Sequence, residues 1–121
     1  MQPTLATLAP SFRRSLLAAN KSPRTVTAYL SAVRALEAYL AAEERTTEAT
    51  RIARGDIEAF LVDRMERYRP ASVSVEFRAL QQFWKWACEE GETDGSPMAK
   101  LKPPIVPEEP PAVLTDEQIG S

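Results

Sequence analysis

The chemistry open to this chain is set first by what it lacks. Its 121 residues include no histidine and a single cysteine, Cys88. Those counts exclude Cys/His zinc sites, Ser-His-Asp triads, Cys-His dyads and internal disulfides. What remains is two polar clusters. Lys21, Ser22, Arg24 and Thr25 stand together ahead of an apolar-periodic stretch, placing hydroxyls, positive charge and free backbone N–H groups where a phosphate would sit well. Further along, Ser74, Arg78, Gln81, Gln82 and Lys85 fall on the side of a predicted helix away from Phe77, Leu80 and Trp84. Arg reads guanine and Gln reads adenine through paired hydrogen bonds, so this strip has the residue types for a major groove. Each cluster also has a plainer reading. Capping alone accounts for Ser22 and Pro23, Lys21 and Arg24 are also ordinary solvated side chains, and Arg78, Gln82 and Lys85 are what any exposed helix face offers.

Other chemically suggestive residues resolve differently. Phe83, Trp84 and Trp86 invite base stacking, but Trp84 shares a helical stripe with Phe77 and Leu80 and is expected in the core. Trp86 lies off that stripe and either covers a neighbouring helix or faces a partner. Cys88 is expected as a small buried hydrophobe. Asp56, Glu58, Asp63 and Glu66 alternate with Arg64 and Arg67, the mixture of a solvated face, and imply no metal site.

The elements that must position these residues are helical. Apolar residues make up 44% and charged residues 26% of a 13.4 kDa chain, which suits one packed domain. The net charge of −2 argues against a nucleic-acid partner, yet residues 1–102 hold all 15 basic and 13 of the 17 acidic residues, a net of +2. The longest uncharged stretch, residues 1–12, is too short to span a membrane and lacks the basic start of a signal peptide, so a cytoplasmic location is expected. Periodicity predicts an all-α fold, a small bundle of four helices. The first covers about residues 4–19, with Leu5, Leu8, Phe12 and Leu16 on one stripe; Pro10 inside it suggests a shorter helix over residues 10–19. The second starts at the Ser22 N-cap with Pro23 at its first position and reaches about residue 44, carrying Val26, Tyr29, Val33, Leu36 and Leu40. The third, near residues 55–68, carries Ile57, Phe60, Leu61 and Met65; the fourth covers about residues 71–90, with Val73, Phe77, Leu80, Trp84 and Ala87 on one face and Gly91 as a left-handed cap.

Beyond the bundle, five of the nine residues 103–111 are proline, which predicts an extended, semi-rigid linker. Thr115 reads as the N-cap of a helix that stops after one turn, too short to be stable alone, so a further folded part is expected after Ile119.

The order of these signals resembles a known family. Ser22-Pro23-Arg24-Thr25 with Tyr29, Val33, Leu36 and Leu40 resembles the S-P-x-T…Y…L…F helix of tyrosine recombinases, the phage-integrase and Xer-type family. Asp56-Ile57-Glu58-Ala59-Phe60-Leu61 resembles its D-I-x-x-F-L helix. Residues 71–90 with Gly91 and Ser96-Pro97 resemble its S-x-x-T/S-x-x-x-x-L-x-A-L-x-x-F-F-x-W helix closing in N-P, and Leu114-Thr115-Asp116-Glu117-Gln118 resembles the opening of its catalytic domain. One departure stands out: positions 81 and 82, often basic in the family, are both Gln here.

The resemblance implies a DNA-binding, SAM-like core-binding domain over residues 1–102, half of a clamp that positions double-stranded DNA for recombination or integration. Residues 103–121 would then be the linker and the start of a missing C-terminal catalytic domain. That domain holds the family's catalytic residues; no position here matches them, and Tyr29, Tyr39 and Tyr68 are packing residues in this reading, so the chain alone is not expected to be an enzyme. The resemblance also implies Lys100 and Lys102 as backbone contacts near the linker, a parent reaction through a covalent tyrosine–phosphate link without metal or nucleotide cofactor, and homo-oligomeric (tetramer) contacts through helices such as the first or third. Two alternatives stay open: a four-helix protein-interaction module with a Pro-rich tail as ligand, and a naturally short, inactive DNA-binding regulator.

Overall fold

The computed structural model describes residues 3–105, and among these it contains four α-helices and no strand. The expected linker beyond Ile105 and the one-turn helix at Thr115 lie outside the described residues.

The first helix, α1 (Leu5–Ala18), begins earlier than Pro10 suggests. Thr4 and Thr7 cap its first turn reciprocally: the Thr7 amide donates to Thr4 Oγ1 at 3.2 Å and the Thr4 amide donates to Thr7 Oγ1 at 2.8 Å. A tertiary tether reinforces the cap, because the Leu5 amide donates to the Thr47 carbonyl (3.0 Å) and the Ala49 amide to the Pro3 carbonyl (2.9 Å). Pro10 removes the hydrogen bond to the Ala6 carbonyl, but both residues are exposed, so water can take the donor's place. Asn20 then adopts a left-handed conformation (φ 61°), and the Lys21 amide closes back on the Leu16 carbonyl at 3.1 Å.

That turn delivers the chain into α2 (Pro23–Ala42), capped by Ser22 as expected and ending two residues before Glu44, whose own left-handed conformation (φ 57°) stops it. Helix α3 (Arg54–Arg67) starts with the Asp56 carboxylate accepting from the Ala53 amide at 2.9 Å. Helix α4 (Pro70–Glu89) takes Pro70 as its first residue and ends with Gly91 at φ 77°. Central α2 packs against each of the other three, and α3 also packs on α4.

Leu36, Leu40, Ile57, Phe60, Phe77, Leu80, Phe83 and Trp84 are fully buried in the core. Trp84 confirms its expected core place, with its indole Nε1 left without a hydrogen-bond partner. Met98, after α4, also joins the core. Met65, expected on the buried stripe of α3, is 40% exposed instead. Cys88 is half-buried, its Sγ 3.3 Å from Thr93 Oγ1. An aromatic cluster fixes α1, α2 and α4 to one another. The Phe12 ring meets Phe83 edge-on at 5.2 Å, Trp86 at 5.4 Å and Tyr29 at 6.4 Å between centroids.

Candidate nucleic-acid interface

Above that aromatic cluster lies a shallow cleft of about 180 Å³ where the end of α1, the start of α2 and the last turns of α4 meet. Phe12, Tyr29 and Trp86 form its floor, Lys21 stands on one wall, and Gln82, Lys85 and Glu89 stand on the other. The two polar clusters of the sequence therefore converge through Lys21, Gln82 and Lys85. Trp86 takes the first of its two expected roles, since it covers Phe12 from α4.

The remaining candidates divide. Arg78 and Gln82 are exposed one turn apart on α4, with Lys85 next along the same face; Gln81 is half-buried. Ser74 does not belong to this strip, because it is buried with only 6% of its surface exposed and cannot meet a ligand there. At the start of α2, Lys21, Ser22 and Arg24 are exposed and Thr25 is half-buried. The Ser22 hydroxyl is committed locally, accepting from the Thr25 amide at 3.2 Å and donating to Thr25 Oγ1 at 3.0 Å. Pro23 has no N–H, the Thr25 amide is taken by Ser22 Oγ and the Val26 amide donates to the Ser22 carbonyl, so within the first turn of α2 itself only the Arg24 amide is left open. The expected group of free N–H donors thus narrows to one, and cationic side chains must supply most of any phosphate affinity. Lys100 and Lys102 lie elsewhere, with Glu58 and Glu66 around an open groove of about 880 Å³ against Leu61, Val62 and Met65 of α3.

Charge pairing is uneven. The four ion pairs among the described residues are Arg45–Asp56, Arg51–Glu48, Arg64–Glu76 and Arg67–Asp63, all involving α3 or the connection leading into it. Arg64 is the most enclosed of the four cations. Its guanidinium forks onto Glu76, with Nε 2.9 Å from Oε1, and lies 4.3 Å over the Tyr68 ring. The hydrogen bond to Glu76 raises the Arg64 pKa above its ordinary value, and the Asp56 hydrogen bond raises that of Arg45. These cations are structural. By contrast, Lys21, Arg24, Arg78 and Lys85 have no acidic partner within salt-bridge distance among the described residues, and Glu89 is the carboxylate nearest in sequence to Lys85 on the cleft wall. The sequence carried a further signal that net charge conceals: its first acidic residue is Glu37, after Arg13, Arg14, Lys21, Arg24 and Arg34.

Among the described residues no group of three or more His, Cys, Asp or Glu side chains converges as metal ligands do, and no helix is long and apolar enough to cross a membrane. Neither the curated proteins nor the solved structures contain a significant match to the chain. Residues 8–92 match the family model of the phage integrase N-terminal SAM-like domain, a span from the second turn of α1 to just past the Gly91 cap. With most of its length inside that match, including α2, α3, α4 and all but the first three residues of α1, the chain belongs to the phage integrase N-terminal SAM-like domain family.

Proposed function

We propose that this chain binds duplex DNA and positions it for a site-specific tyrosine recombinase, as the half of the clamp that does not carry the catalytic groups. The observation that carries this reading is the convergence on one cleft of Gln82 with Lys21 and Lys85, neither of which is ion-paired among the described residues. In this reading Lys21, Arg24 and Lys85 hold phosphates, while Arg78, Gln82 and half-buried Gln81 reach base edges in the major groove. Ser22 and Thr25 act by fixing the start of α2. Gln at 81 and 82 supplies hydrogen bonds in place of charge, which weakens electrostatic grip and leaves more of the discrimination to base contacts. Lys100 and Lys102 contact the backbone where the chain passes towards the catalytic domain. That domain performs strand exchange through a tyrosine–phosphate link, with no metal or nucleotide cofactor, in the cytoplasm and in a DNA-bound tetramer; this chain alone does not cleave DNA.

The test is fluorescence anisotropy of a labelled random-sequence duplex titrated with the chain across a salt series, beside a Lys21→Ala/Lys85→Ala variant. Each lost phosphate contact lowers the slope of log affinity against log salt by about 0.9, so the pair lowers it by up to about 1.8. An unchanged slope would remove the cleft from the interface. A second reading, a protein-interaction module, is favoured by the apolar groove on α3; it expects no salt-dependent DNA binding and loss of partner affinity on Val62→Asp.

A further inference from the structure

The cleft between α1 and α4 accounts for only part of the acid-free cationic run. On the other flank of α1 lies a second groove, about 280 Å³, formed with α2. Pro10, Leu30 and Val33 line its apolar part, and Arg13 from α1 and Arg34 from α2 both border it. Both arginines are exposed, and neither belongs to any of the four ion pairs. Glu37 shares the groove, one turn beyond Arg34, yet forms no salt bridge with it. Two guanidiniums from different helices therefore border one groove with a single carboxylate present, on a part of the chain that has no other acid before it.

We propose that Arg13 and Arg34 form a second phosphate-binding site on the α1/α2 groove, which takes the backbone of the same duplex that the Lys21/Lys85 cleft holds. The inference rests on the DNA-binding reading above and adds residues and a surface to it. Guanidinium suits the task, since its planar fork bonds two phosphate oxygens at once and is weakly hydrated compared with an ammonium. Helix α1 separates the two grooves, Phe12, Ser15, Leu16 and Ala19 facing one and Ala6, Ala9, Pro10 and Arg13 the other. A duplex seated against α1 thus meets cations on both flanks of the helix, and the site predicts that Glu37 opposes binding.

The experiment is the same salt-series anisotropy on the full 121-residue chain, with four variants. Arg13→Ala/Arg34→Ala should lower the salt slope by up to about 1.8, and Arg13→Lys/Arg34→Lys should retain most of it. Glu37→Gln should tighten binding at low salt by a few-fold. Arg54→Ala/Arg69→Ala removes the same two charges from the starts of α3 and α4 and should leave the slope within about 0.3. All of these positions are exposed or half-buried, and circular dichroism melting checks that each variant is folded. A slope unchanged by Arg13→Ala/Arg34→Ala but lowered by Lys21→Ala/Lys85→Ala overturns the second site and keeps the first. Equal losses from the Arg54/Arg69 pair overturn it as a mere effect of net charge. A wild-type chain that shows no salt-dependent binding overturns the second site together with the DNA-binding reading beneath it.

Discussion

Replacing Phe12 by Ala tests whether the aromatic cluster is what holds the cleft together. The ring is 2% exposed and touches Phe83, Trp86 and Tyr29, so truncation leaves a void bordered by three rings from α2 and α4. Phe→Ala changes in cores typically destabilise by about 3–5 kcal/mol through lost transfer energy and residual cavity. For this site the upper half of that range applies, since rigid rings collapse poorly and a buried edge-to-face contact adds about 0.5–1.5 kcal/mol beyond its area. Domains of this size are stable by about 5–15 kcal/mol, so the variant loses about a third to nearly all of that stability. Urea unfolding followed by far-ultraviolet circular dichroism is the assay. A loss of about 4 kcal/mol over a slope of about 2 kcal/mol/M lowers the midpoint by about 2 M. Val62→Ala, at a position 62% exposed on α3, serves as the comparison and should stay within about 0.5 kcal/mol of wild type. A Phe12→Ala loss below about 1.5 kcal/mol would refute the argument, because it would mean that α1 is held by its Thr4 cap and tether rather than by the ring cluster.

Two further outcomes follow from local geometry. Ser22→Ala should cost about 1 kcal/mol through loss of the cap, while leaving the salt slope of DNA binding unchanged, because the hydroxyl is already bonded within the turn; a lowered slope in a folded variant would show that Ser22 touches phosphate. Gly91→Ala and Glu44→Gly should shift stability in opposite directions, each by about 0.5–1 kcal/mol, since both positions are left-handed (φ 77° and 57°) and glycine alone adopts that conformation freely. Open space around Gly91 means that its penalty is one of backbone conformation only, and thermal melting of the two variants checks the signs.

The last three helices were legible because each carries its own punctuation: Ser22-Pro23, Pro70 and Gly91 mark ends whatever the tertiary context. The start of α1 was harder, since Pro10 argues locally for a break while the restraint that carries the helix past it comes from residues 47–49. Met98 was invisible for a related reason, as it reaches the core from outside any periodic element. At the candidate site, Ser74 shows the limit of a helical projection. It lies about 80° around α4 from Trp84, at the margin of the apolar arc, where neighbouring elements decide burial. Charge was under-read: a net taken over 102 residues averages an acid-free run with an ion-paired acidic helix.

The two tryptophans of α4 stand two residues apart but inhabit different surroundings, Trp84 sealed in the core and Trp86 half-covered on the cleft floor. They make the helix a built-in pair of optical probes. Emission from Trp84 in a Trp86→Phe background reports whether the bundle is intact, and emission from Trp86 in a Trp84→Phe background reports what arrives above Lys21 and Lys85. A ligand that changes the second signal and not the first has entered the cleft without disturbing the fold.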